Sequence, residues 1–318
     1  MSPAPSPSAA EPRVSVAPDG SLIAHVEPDR ISLLDAKLDV IGEIGIDPEA
    51  EGCDVVLCGE PLRLVVLARY PSSGRLHVID PHGPSAVGEL PLRAAMRLVT
   101  ASGDHVWLSG AGGSTLVNVT RRDLVLSPLP LRAPPSAVGV FGENRFVASI
   151  GGMIEEWDAE HRAPARRFRL AKPIPARFVG GGARQVWMVP ADGDRIEQIP
   201  LVNTGQPTRI DLPDAPVRIA ADAAQETLAI LGASGDIHVV DLSGRTAPAL
   251  LEGVSGSDLA WLGTTASIVV AGIGIEVVPV NGRARVAASG ATVASPTGSA
   301  AGGGATGAAT GAATGAAT

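Results

Sequence analysis

Short apolar runs, each broken by glycine, aspartate, asparagine or proline, recur along most of this chain. The best preserved copy is Leu228-Ala-Ile-Leu-Gly-Ala-Ser-Gly-Asp-Ile-His-Val-Val-Asp-Leu-Ser-Gly244, two apolar runs around a glycine-containing turn, the second closing on Asp241. Runs this short, rich in branched residues and bounded by turn formers, predict a β-hairpin rather than a helix. Residues 64–80 repeat the pattern, with Gly74-Arg-Leu-His-Val-Ile-Asp80 as the second half.

Taken in order, the chain predicts four strands and then the same four again. Residues 14–16, 21–27, 30–35 and 38–46 form the first unit; 53–58, 64–69, 75–80 and 86–92 the second; 97–100, 106–109, 115–120 and 124–131 the third. The fourth contains Arg145-Phe-Val-Ala-Ser-Ile150 and Met153-Ile-Glu-Glu-Trp-Asp158, and the fifth residues 185–189 and 195–200. Residues 228–244 mark the sixth, and 259–262, 267–271 and 275–279 the seventh. The residues closing the third strands are Asp35, Asp80, Thr120, Asp158, Pro200, Asp241 and Pro279, which by subtraction are 45, 40, 38, 42, 41 and 38 apart. A period near 41 falls in the range of about 40–45 of a four-stranded propeller blade. One blade cannot bury its apolar faces alone, and closing the stack into a ring removes the ends that an open solenoid must cap.

In period and hairpin pattern the chain resembles the WD40-like repeat superfamily, in a degenerate form of bacterial type, over nearly all of its ordered length. Trp157-Asp158 is the one Trp-Asp pair at the expected position and no unit has the Gly-His dipeptide. The resemblance therefore implies the propeller without the eukaryotic-type hydrogen-bond network. The fold expected is all-β, a seven-bladed β-propeller over residues 14–286. A two-sheet sandwich or two small β-domains would show the same alternation. Ring closure has two candidates: Arg283-Ala-Arg-Val-Ala-Ala288 as the outer strand of blade 7, or residues near Val14 crossing over to fill that place.

Composition changes the picture at both ends. Residues 1–13, rich in Pro, Ser and Ala, predict a disordered arm; 287–318, ending in three tandem copies of Gly-Ala-Ala-Thr, predict a disordered low-complexity tail. The chain is 45% hydrophobic but only 3% aromatic, so its core must be built from Ala, Val, Leu and Ile, with 38 Gly and 27 Pro serving the turns. A net charge of -8 argues against nucleic acid as the main partner, because phosphate binding needs a basic face. The start lacks the basic and apolar regions of a signal peptide, and no apolar run approaches the ~18 residues of a membrane span. No membrane partner and a cytoplasmic location are expected. In an extended strand, Cys53 and Cys58 would lie roughly 16 Å apart on opposite faces, too far for a disulfide, and read as buried thiols of a reducing compartment.

Candidate chemistry is sparse. The six histidines form no metal-binding pattern, and His77 and His238 are repeat counterparts in the third strands of blades 2 and 6. Asp192-Gly-Asp194 reads as a hairpin tip rather than a calcium loop. Gly110-Ala-Gly-Gly-Ser-Thr115 lacks the lysine of a phosphate loop, Gly253-Val-Ser-Gly-Ser257 misses the nucleophile-elbow spacing, and both read as turns. No catalytic, cofactor-binding or metal residue is assigned, and no cofactor is expected.

Charge layout carries the remaining signal. Between Glu27 and Glu60 ten acids face two bases, a balance of -8; between His161 and Arg177 six bases face no acid, a balance of +6. Arg162, Arg166, Arg167 and Arg169 are the interaction residues this implies, on the outer edge of blade 4, where they would attract an anionic partner or merely guard the edge strand. The first reading of function is a non-enzymatic protein–protein interaction scaffold, a monomeric propeller. By general likeness to standalone bacterial propellers, it would belong to a multi-protein system with an AAA+ ATPase or von Willebrand A partner. The alternative is a lactonase-like propeller enzyme or small-ligand binder using the central channel, with Asp104, Glu143 or Asp222 as groups that could converge on the axis. A structural subunit of a larger assembly is a third reading.

Overall fold

The alternation of short apolar runs and turns folds into strands alone. Among the described residues there are seven four-stranded antiparallel sheets, each a meander in which successive strands pair. The computed structural model describes residues 13–280 except 84–85, 94, 169, 171–172, 202–207, 244–245 and 273, together with 286–287. Except between blades 5 and 6, the first strands of neighbouring sheets pack closely on one another and line the channel, so each sheet is a blade running outward from the axis. Blade 1 begins with Arg13–Val16, blade 2 with Gly52–Cys58, blade 3 with Met96–Ser102 and blade 4 with Pro135–Gly142. Blades 5, 6 and 7 begin with Ala176–Gly181, Pro216–Ala221 and Asp258–Trp261. Over its described residues the chain is thus an all-β, seven-bladed propeller.

The second strands read as continuous apolar runs because both of their faces are buried. In blade 2, Leu64 and Val66 pack toward blade 1 while Val65 and Leu67 pack toward blade 3. Successive side chains of a strand point to opposite faces, so one strand feeds two interfaces. The core divides accordingly into seven clusters, one at each junction between blades.

The aspartates that mark the period cap the turn between the third and fourth strands. Asp35 accepts from the amides of Lys37 and Asp39, Asp80 from His82, Asp158 from His161 and Asp241 from Ser243, at 2.7–3.0 Å. This is the local chemistry that favours Asp at turns. In blade 3 Asn118 does the same for Thr120 and Arg121 and pairs with His105 as Asp158 pairs with Arg145, so Asn118 is the counterpart, two residues before Thr120.

The outer strand expected over 124–131 is only Ser127–Pro128, pairing with Thr115 and Leu116. Pro128, Pro130, Pro134 and Pro135 lack the amide needed to extend a ladder. Residues 253–255, read as part of a turn, end the outer strand Ala249–Ser255 of blade 6. Val286–Ala287 pairs with Val277 and Glu276 as the outer strand of blade 7, while Val14 stays in blade 1, so the first of the two closure candidates is the one found. Apart from Arg13 and Ala287, the arm over 1–13 and the tail over 287–318 lie outside the described residues. Cys53 and Cys58 are free, buried and on opposite faces, and desolvation raises their thiols to about 11 and about 12. No helix among the described residues is long and apolar enough to cross a membrane.

Candidate functional site

In a four-stranded meander the turn joining strands one and two and the turn joining strands three and four fall at the same end. Over blades 3 to 6 that end, the proximal face, is concave. A cleft of about 460 Å³ separates the turns of blades 3 and 4, one of about 590 Å³ runs from blade 4 to blade 6, and one of about 260 Å³ lies between blades 5 and 6. The middle cleft shares Val140 and Gln225 with a cavity of about 420 Å³ in the channel.

The basic edge of blade 4 adjoins these clefts. Arg162 stands on the turn after Asp158 with φ 55°, and Arg166 and Arg167 lie on the outer strand Ala163–Phe168. Arg169 lies outside the described residues. The register sets Arg167 opposite Glu155 and Arg166 opposite Glu156, on the third strand Met153–Asp158. Both glutamates are buried, and adjacent positions send them to opposite faces of the blade. Glu155 pairs with Arg167 at 2.9 Å and Arg132 at 3.6 Å; Glu156 pairs with Arg145 at 2.9 Å and Arg166 at 3.8 Å. All four arginine side chains remain about half exposed, and the guanidinium carbon of Arg166 also lies 6.0 Å from the centroid of the Phe168 ring. The edge is therefore a row of arginines, Arg132 and Arg167 held by Glu155 toward one face of the blade and Arg145 and Arg166 held by Glu156 toward the other, with about half of each side chain exposed. A charge count over residues 161–177 stops short of Glu155 and Glu156, which only strand pairing brings alongside.

Two further buried acids stitch the innermost strands together. Asp54 accepts from Arg13, lies 3.5 Å from Arg69 and accepts the Leu98 amide at 3.2 Å, joining blades 1, 2 and 3. Asp258 accepts the Val14 amide at 3.1 Å and pairs with Arg218 at 3.4 Å, joining blades 7, 1 and 6. Desolvation raises the Asp258 carboxyl above its ordinary value, against the Val14 hydrogen bond and the Arg218 charge, which lower it. The signal for both was a lone acid among apolar residues, Cys53-Asp54-Val55 and Asp258-Leu259-Ala260.

The cleft between blades 3 and 4 rests on a polar chain. Asn118 Nδ2 lies 3.4 Å from His105 Nε2, and His105 Nδ1 lies 3.0 Å from Asn144 Oδ1, which also accepts the Asp104 amide. The tautomer that satisfies every contact has Nδ1–H donating to Asn144 and Nε2 accepting from Asn118. Behind this chain Trp107 meets Phe146 and Trp157 edge-on at 5.4 and 6.3 Å. The Trp157 indole N–H is buried without a hydrogen-bond partner among the described residues.

Of the acids that could have met on the axis, Asp104 and Glu143 instead line proximal clefts and Asp222 caps its own turn through the amides of Glu226 and Thr227. Among the described residues no three His, Cys, Asp or Glu side chains are grouped to hold a metal. Gly110 and Gly113 flank the hairpin turn of blade 3, and Asp192-Gly-Asp194 lies in the turn before Arg195–Pro200.

No family model matches this chain, and no curated protein matches it. Among solved structures it is similar to the Cps50 (Swd1) β-propeller domain of Myceliophteria thermophila, with 14% identity and a TM-score of 0.65 over 83% of this chain and 94% of that one. It is similar to hydrazine synthase of Kuenenia stuttgartiensis, with 13% identity and a TM-score of 0.61 over 88% and 96% of the two chains. It also matches Raptor of Chaetomium thermophilum at 15% identity and a TM-score of 0.61, covering 84% of this chain but 27% of that one. At these identities the likeness concerns the fold alone.

Proposed function

We propose that this propeller is a non-enzymatic protein–protein interaction scaffold that docks its partner on the proximal face over blades 3 to 6, with an acidic segment of the partner lying along the edge of blade 4. The observation that carries the reading is the arginine row. Guanidinium groups already fixed by Glu155 and Glu156 lose little rotamer freedom on binding, and rigid half-exposed donors beside deep clefts favour a preorganised interface. Reversing Arg166 and Arg167 to Glu is an unsuitable test, because it sets carboxylates against buried carboxylates. A photo-crosslinking residue at Arg162 or Ala183, compared with one at Val40 on the outer edge of blade 1, tests the reading in the native host. A discrete partner captured from the first two sites, whose binding to the purified chain weakens with Arg162→Glu at unchanged Tm, is the expected result. Equal capture from Val40, or no effect of Arg162→Glu, overturns it.

The finer version places the chain in a bacterial cytoplasm, in the degenerate branch of the WD40-like repeats, with an AAA+ ATPase or a von Willebrand A protein as partner. Co-purification with the products of neighbouring genes tests it. The channel cavity of about 420 Å³, walled by Phe178 and Trp187 with Arg177 at its side, favours a second reading as a small-ligand binder. A stoichiometric small molecule or metal in the native mass spectrum supports that reading, and a bare chain mass removes it.

A further inference from the structure

We infer that the cleft between blades 3 and 4 is a binding site for a short aliphatic zwitterion, of the amino acid or dipeptide type. This goes beyond the docking reading and does not depend on the arginine row. The cleft exists because the proline-bound outer strand of blade 3 covers only Thr115 and Leu116, leaving Val117 and Asn118 without a fourth-strand neighbour. Its volume of about 460 Å³ falls within the range of roughly 300–1,000 Å³ typical of small-molecule sites.

The lips offer two cations and three anions, Asp104 on the blade 3 side being the third acid. Arg121 and Asp123 come from blade 3, and Glu160 and Arg162 from blade 4. Among the described residues neither arginine forms an ion pair, in contrast to Arg132, Arg145, Arg166 and Arg167 nearby. Two arginines outside any ion pair, lining one cleft from different blades, suit a carboxylate, and the acids that line it with them suit an ammonium group. Between the lips, Leu116, Val125 and Ala159 form an apolar wall in which Val125 is 62% exposed, an aliphatic surface awaiting cover. Arg162 holds φ 55°, a backbone region costly for any side chain with a Cβ, at a turn where glycine or asparagine would serve the fold better.

Isothermal titration of the full chain with L-valine and with L-valyl-L-valine tests the site, with N-acetyl-L-valinamide as the uncharged control. One of the two zwitterions is expected to bind while the capped compound does not, and Arg121→Ala is expected to weaken that binding at least about tenfold. Arg162→Gly should lose the ligand while its Tm stays level or rises, since the strain is relieved, an outcome that a purely structural role would reverse. No heat from either zwitterion at about 10 mM, equal binding of the capped control, or full binding by Arg121→Ala overturns the inference. The two readings share this face and Arg162, but calorimetry uses the purified chain with small molecules and crosslinking reads a macromolecular partner in the native host, so failure of either shows separately.

Discussion

Glu155 and Glu156 set the energetics of the blade 4 edge unequally among their partners. The carboxylates are buried and cannot reach water, whereas the arginines that hold them are half exposed and can. Removing Arg145 and Arg166 together strands a buried charge and is expected to cost about 3 kcal/mol, with Glu156→Gln costing clearly less; chemical denaturation of the two variants checks the order. Two other residues give the stability a pH signature. Burial lowers His25, so its contribution is present above the ordinary imidazole value of about 6.5 and is lost as pH falls through the depressed folded value. Burial raises Asp258, so the opposite holds: its contribution is present in acid and fades as pH rises through the raised value. The stability difference between the wild type and Asp258→Asn, followed from pH 4 to 8, should therefore move in favour of the wild type on acidification; a flat difference would show that Asp258 does not titrate in this way. None of these roles was legible in the sequence, because each depends on which residue a neighbouring strand or blade brings alongside. Arg166 reads as a free surface charge until the register sets it opposite Glu156.

At the scale of elements, the strands themselves were legible. Doubly buried second strands are continuous apolar runs, four of the seven third strands close on a turn-capping Asp, and both marks are local. What escaped was the extent of outer strands, as in blade 3, where proline removes the ladder without changing the apolar content that suggested one. Close approach between blades was equally hidden. A Cβ at Gly139, on the innermost strand of blade 4, would sit 1.8 Å from the Val179 carbonyl oxygen of blade 5, whereas one at Gly45, ending the outer strand of blade 1, would meet nothing within 4 Å. Gly139→Ala is therefore expected to destabilise by about 3 kcal/mol or more, because a backbone atom cannot step aside as a side chain can. Gly45→Ala should change stability by no more than about 0.5 kcal/mol, and urea midpoints of the pair read the contrast directly.

For the whole molecule, the number of blades followed from the period alone, but the manner of closure did not. Among the described residues the seam between blades 7 and 1 contains no exchanged strand. Side chains such as Ile23, Leu34, Val269 and Val277 pack across it, the Val14 amide reaches Asp258, and the turns at Gly20 and Gly263 approach so closely that a Cβ at Gly263 would lie 2.6 Å from the Gly20 nitrogen. Because no hydrogen-bond ladder spans the seam, the ring should respond to force as a string of separate links. Tension applied to the two ends meets first the short pairing of Val286–Ala287 with Glu276 and Val277, which opens like a zipper rather than in shear. Blade 7, then gripped only by side chains, should come away whole, and blade 6 after it. An optical trap should record steps of about 14 nm, the contour length of some 41 residues at about 3.4 Å each, whereas a ring clasped by a shared strand would hold and then rupture in one event.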